Sequence, residues 1–289
     1  MSKTDERTAP AAADRTARYA TLLVHAEPGH ASSRRVEAAA QLARDLDARL
    51  IGLGAETFDA ALTGGPFMGY EAGQWAALVQ EEIEKSISAA AKAFARDAAG
   101  ADTEWRRTQD FPHRALTRLA GAADLIVMSP ATRAGRQRNA DPADVVMAAG
   151  RPILMVPEGS QPLHGRAVVV AWKNTRECRR AVADAMPFLH RAEDVIVEAI
   201  VRADSVELAG AEVADVVANL RRHGIAARPI VTTKPEEGVT TALEETARQN
   251  GADLIVCGAY GHSRAREWAF GGVTDDLLHG PKCFVLMSH

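Results

Sequence analysis

Gly258-x-x-Gly261, followed after nine residues by Gly271-Gly272-Val273-Thr274, is the spacing in this chain best suited to holding an anion. Glycine lets a backbone turn tightly and approach a ligand closely. The N–H groups at a helix start attract phosphate. His262 and Arg264 follow the second glycine. They would either neutralise phosphate charge beside the N–H cradle or, with Glu267 nearby, form an ordinary charged surface. Lys173, after a separate apolar run, either reaches a phosphate as a point charge or stays solvated. A Gly-x-x-Gly alone is weak evidence, because a strand-to-loop turn needs such residues without any ligand. The chemistry indicated is binding. There is no Gly-x-Ser-x-Gly elbow, Walker A lysine, His-Glu-x-x-His or Cys-x-x-Cys, and the carboxylates do not pair for acid–base work.

The apolar run Asp253–Gly258 must position this loop, and it has a copy upstream. Asp124-Leu125-Ile126-Val127-Met128 repeats the run, but Ser129, Thr132 and Pro142 stand where the glycines should be. Proline cannot adopt positive φ, and other non-glycine residues do so uncommonly. The upstream loop is therefore expected to be closed.

Strand and helix signals alternate through both halves. Strands are expected at 19–24, 49–54, 103–108, 124–129 and 152–156, with helices at 32–47, 81–99, 114–121 and 142–149 between them. The second half predicts strands at 166–171, 194–201, 227–232, 253–258 and 282–287, with helices at 175–189, 207–223 and 237–249. Such alternation predicts an α/β fold with a mostly parallel, doubly wound sheet and helices on both faces. Tyr19 aligns with Gly165, an offset of 146, but Asp124 aligns with Asp253, an offset of 129. The first copy thus holds about 17 extra residues, placed at 57–77. Phe67, Met68, Tyr70 and Trp75 make this segment a flap, either over its own domain's site or at a dimer contact. The expected organisation is a disordered leader at 1–18, domain 1 at 19–159 and domain 2 at 160–289.

The formal net charge of −4 gives no sign of a nucleic-acid partner. No apolar run approaches the roughly 18 residues that span a bilayer, and the leader lacks a signal peptide's apolar core. Cys178, Cys257 and Cys283 make an odd count with no metal-like spacing, and Cys257 and Cys283, within strand-like apolar runs, are read as small buried hydrophobes in a reducing cytoplasm. A redox pair between Cys257 and Cys283, if their strands are neighbours, is the sharper alternative. Arg133, Arg136 and Arg138 would either dock an anionic partner or form a solvated loop.

On the Gly-x2-Gly-x9-Gly pattern at Gly258, Gly261 and Gly271, the chain resembles the universal stress protein family in its tandem two-domain form. Position 272 departs, being Gly where the pattern has a hydroxyl residue, with Thr274 two residues on. The resemblance implies two five-stranded parallel sheets of order 3-2-1-4-5, paired through their fifth strands as an internal pseudo-dimer. Residues 152–156 would then lie beside 283–287. For the site it implies an adenine nucleotide, ATP or AMP, held by Gly258, Gly261, Gly271, Gly272, Val273 and Thr274, with Mg only alongside ATP. The family's acidic residue after the first strand is replaced by Lys173 in domain 2, whereas Glu27 keeps a carboxylate in domain 1. The implied role is cytoplasmic stress-response regulation, with an unidentified protein partner and room for further homodimerisation. Alternatives are a scaffold that binds no nucleotide and a slow ATP hydrolase.

Overall fold

In the computed structural model, the described residues are 18–57, 70–130, 138–159, 161–260 and 272–289. The first half runs β1 (Thr21–His25), α1 (His30–Leu46), β2 (Arg49–Ala55), α2 (Tyr70–Asp97), β3 (Thr103–Thr108), α3 (Pro112–Leu119), β4 (Leu125–Met128), α4 (Pro142–Ala148) and β5 (Ile153–Met155). The second half runs β6 (Ala167–Ala171), α5 (Arg176–Asp184), α6 (Met186–Leu189), β7 (Asp194–Val201), α7 (Val206–Arg222), β8 (Ala227–Thr233), α8 (Val239–Gln249), β9 (Leu254–Gly258), α9 (Gly272–His279) and β10 (Phe284–Ser288).

The ten strands among the described residues form one sheet of order β3-β2-β1-β4-β5-β10-β9-β6-β7-β8. Each half is a parallel 3-2-1-4-5 sheet, and the halves join where β10 runs antiparallel to β5, with Leu286 opposite Leu154. The expected neighbours at the pseudo-twofold are therefore neighbours. Parallel strands covered on both faces read as continuous apolar runs, and β4 and β9 do so because Leu125, Ile126, Val127, Leu254 and Ile255 are all buried. One core lies on the face of α1, α2, α5 and α7. The other lies beneath α3, α4, α8 and α9. Tyr19 crosses the junction, with its ring edge-on to Phe188 at 5.5 Å and its hydroxyl donating to the Asp184 carbonyl.

Three expectations are corrected. Helix α2 begins at Tyr70 rather than near residue 81, since the Ala-, Glu- and Gln-rich segment there favours helix. The latter part of the expected flap is thus helical, and 58–69 fall outside the described residues, as does the leader up to residue 17. The single helix expected over 175–189 is two, α5 and α6, broken ahead of Pro187, whose ring and missing N–H interrupt an α-helix. Cys257 sits opposite Met287 in register, four residues beyond Cys283. About 13 Å of strand separates those positions, too far for a disulfide. Burial pushes both thiols up, Cys283 to about 12.

Candidate functional site

Strand order reverses at β6, which lies between β7 and β9. Ligands of open α/β sheets bind at such a point, outside the carboxyl ends of the strands. Here the segment 172–175 leaves β6 beside the end of β9. A Cβ on Gly258 would lie 2.5 Å from the Cys178 nitrogen and 2.7 Å from the Glu177 carbonyl carbon. Glycine is therefore required for α5 to approach β9. Thr175 caps that helix, accepting from the Cys178 N–H at 3.3 Å. The Cys178 thiol donates to the Ala171 carbonyl at 3.1 Å and accepts from the Lys173 N–H at 3.4 Å. Burial pushes this thiol up, against the N–H groups of Lys173 and Gly258, so it stays protonated and unreactive at neutral pH. Lys173 itself is exposed.

The far side of the loop is α9. Gly272 is its first residue and is exposed, and a Cβ there would meet nothing within 4 Å. Val273 packs partly on the core. Thr274 is buried and its hydroxyl accepts from the Tyr260 N–H at 3.4 Å, tying the loop's exit to its return. Tyr260 has φ 56, a left-handed conformation that a bulky residue adopts only where its surroundings hold it. Gly258, Gly272, Val273, Thr274 and the Lys173 backbone thus border one strand-end region. Gly261, His262, Arg264 and Gly271 lie outside the described residues.

The corresponding region of the first half is filled. Arg35, projecting from α1, is buried and donates to the His25 carbonyl from Nε at 3.0 Å, to Ser129 Oγ at 2.6 Å and to the Glu27 carboxylate. His25 Nδ1 lies 3.0 Å from that carboxylate, and its Nε2 is 3.1 Å from the Ala55 carbonyl. Burial pushes the Glu27 carboxyl up, but Arg35 and His25 overcome this and hold it at about 2. What remains open, beside His25, Arg35, Ser129 and Asn139, is a cavity of about 10 Å³, room for one water at most. Glu27 is therefore the centre of an internal ion pair rather than a free carboxylate at a pocket lip. The start of α4 is likewise occupied. Pro142 supplies no N–H there, and the Asp141 carboxylate accepts from the Ala143 N–H at 3.0 Å. Arg138 pairs with buried Glu56 at 2.6 Å. Arg133 and Arg136 lie outside the described residues.

Strand register aligns the two regions. Leu22 pairs with Leu125 as Val168 pairs with Leu254, so Ser32 corresponds to Cys178, Arg35 to Ala181, Glu27 to Lys173 and Ser129 to Gly258. The Glu27 N–H donates to Ser32 Oγ at 3.0 Å, the counterpart of the Lys173 contact with Cys178. Every side chain of the buried network is replaced in the second half by one that cannot rebuild it. Sequence reasoning missed Arg35. The available signal was its place on the apolar stripe of α1, with Ser32, Val36 and Ala39, eight residues after a glutamate.

Comparison with known proteins agrees with this arrangement. No curated protein matches the chain. A universal stress protein from Archaeoglobus fulgidus superposes with a TM-score of 0.68 at 12% identity, covering 93% of this chain and 97% of that one. A functionally unknown protein from Pseudomonas aeruginosa gives 0.56 at 16% identity over 93% and 92%. A universal stress protein in complex with cAMP matches at 27% identity over 48% of this chain and 98% of its own, with a TM-score of 0.35. The model of the universal stress protein family matches residues 165–289. Residues 165–289 thus match a universal stress protein domain, and the first half repeats that domain's fold.

Proposed function

We propose that this protein is a cytoplasmic stress-response regulator that binds one adenine nucleotide, ATP or AMP, at the strand-end loop of its second half. The observation that carries this reading is the contrast between the crevices. Arg35, Glu27 and Ser129 fill the first, whereas Ala181, Lys173 and Gly258 leave its counterpart without a buried ion pair. The residues at hand fit a phosphate in part. The backbone at Gly258, Gly261, Gly271, Gly272 and Val273 would hold it, and Lys173 supplies a cation with no ion-pair partner among the described residues. His262 and Arg264 would add charge. A bound nucleotide orders the 258–274 loop and so changes the surface offered to a protein partner. AMP or ATP at millimolar concentration should raise the melting temperature of the whole chain, and Gly261→Val should abolish the shift.

A second reading has its own support. Gly258 has a packing reason to be glycine, and the Thr274 hydroxyl is already engaged. Both suit a scaffold that binds no nucleotide and acts through protein contacts alone. An unchanged melting temperature at millimolar nucleotide favours that scaffold.

A further inference from the structure

We propose that the N-terminal arm of α2 docks in the cleft between α5 and α7 of a second copy of this chain, so that two copies exchange arms and close as a dimer. Arm and cleft are both differences between the two halves. Helix α2 has 28 residues against 17 in its counterpart α7. Both end a short turn before the next strand, so the surplus lies at the N-terminus of α2. There, residues 74–82 bury no side chain, and the first buried residue is Ile83. Yet this stretch carries Leu78 at 64% exposure and Trp75 at 39%, three residues apart and so on one face of the helix. Helices in proteins are stabilised mainly by packing such a face, and this one is left uncovered among the described residues.

The cleft is the reverse asymmetry. In the first half, uninterrupted α1 packs along α2, above Phe94 and Trp105 with ring centroids 5.3 Å apart. In the second, α5 stops at Asp184, ahead of Pro187, and α7 stands apart from it. The space between measures about 650 Å³ and is lined by Trp172, Val182, Met186 and Leu220, room for an indole and an isobutyl group. An arm cannot fill the cleft of its own chain. Strand β2 under α2 and strand β6 under the cleft are six places apart in the sheet, about 29 Å. The arm, moreover, runs along the strands rather than across them. Helices α2, α5 and α7 all pack on one face of the sheet, so two copies meeting face to face present each arm to the other's cleft. Such reciprocal contacts close a dimer, whereas one-way contacts would build open chains.

Polar residues set the direction of docking. The α7 side of the cleft runs from Glu212 to His223, about 16 Å of helix, against about 10 Å from Trp75 to Glu82. With the arm beside α7 and parallel to it, exposed Glu82 reaches exposed Arg222 and His223 at the end of α7. Trp75 and Leu78 then cover the apolar lining. Glu212 accepts from the Asn174 amide at 2.8 Å, and that amide's oxygen accepts from Arg179 at 2.6 Å, so these charges are already engaged. Asp215, exposed on α7, keeps its contact with water.

Sedimentation equilibrium of the full chain, up to millimolar concentration, tests this. A reversible dimer is the expected result. Leu78→Asp alters the arm at an exposed residue, and Ala183→Phe narrows the cleft from an exposed position. Each should raise the dissociation constant at least about tenfold while leaving the melting temperature of the dilute chain in place. Mixing the two variants should restore one arm-in-cleft contact, giving a mixed dimer that neither variant forms alone. A chain that stays monomeric at millimolar concentration overturns the proposal, as does a mixture as monomeric as its components. A dimer weakened by Leu78→Asp but indifferent to Ala183→Phe also overturns it, because the arms would then be pairing with each other.

Discussion

The two strand-end crevices share a backbone and differ in what fills them. In the first half, a guanidinium, a carboxylate, an imidazole and a hydroxyl satisfy one another in a space that leaves about 10 Å³. In the second, glycine and alanine let α5 settle directly onto β9. A repeated crevice can thus be filled without distorting the sheet by an ion pair large enough to occupy it. Such a plug needs all its members, because a buried charge without its partner is strongly destabilising.

Arg35→Met gives the largest expected effect. It strands Glu27 and should lower stability by about 3–5 kcal/mol in urea unfolding; a loss below about 1 kcal/mol would mean that the network does not hold the crevice. Acid should act through the same pair. The Glu27 carboxyl is held at about 2 in the folded chain against 4.5 for an ordinary glutamate. Its contribution, about 3 kcal/mol, is therefore present above pH 4.5 and lost as pH falls from there towards 2. Glu27→Gln should flatten that part of the stability–pH curve.

Gly258→Ala probes the other crevice. Its new Cβ meets backbone rather than a flexible side chain, so a loss of about 1–3 kcal/mol is expected from chemical denaturation. Gly272→Ser, in open space, should change stability by less than about 0.5 kcal/mol. By restoring a hydroxyl at the loop's return it should also tighten AMP binding by about fivefold in titration calorimetry, the worth of one hydrogen bond.

Much of this architecture was legible. Apolar runs such as Leu125–Met128 and Leu254–Gly258 announce parallel strands, and their differing offsets located an insertion. The closed first crevice was legible too, though for a partial reason. Pro142 does leave the start of α4 without an N–H at that position, but what fills the crevice is Arg35, whose bond to Ser129 spans 94 residues and leaves no mark in local periodicity. The early start of α2 was obscured by glycine and aromatic residues that resemble a loop. Pro187 within the apolar pattern of 175–189 was the unused sign that α5 would break, and with it the cleft beside Trp172.

Counting nucleotides bound per chain by calorimetric titration with AMP tests the central claim most directly. One site per chain, lost in Gly261→Val and kept in Glu27→Gln, is the predicted result. Two sites would contradict the filled first crevice, and no binding at millimolar AMP would contradict nucleotide binding by the second half.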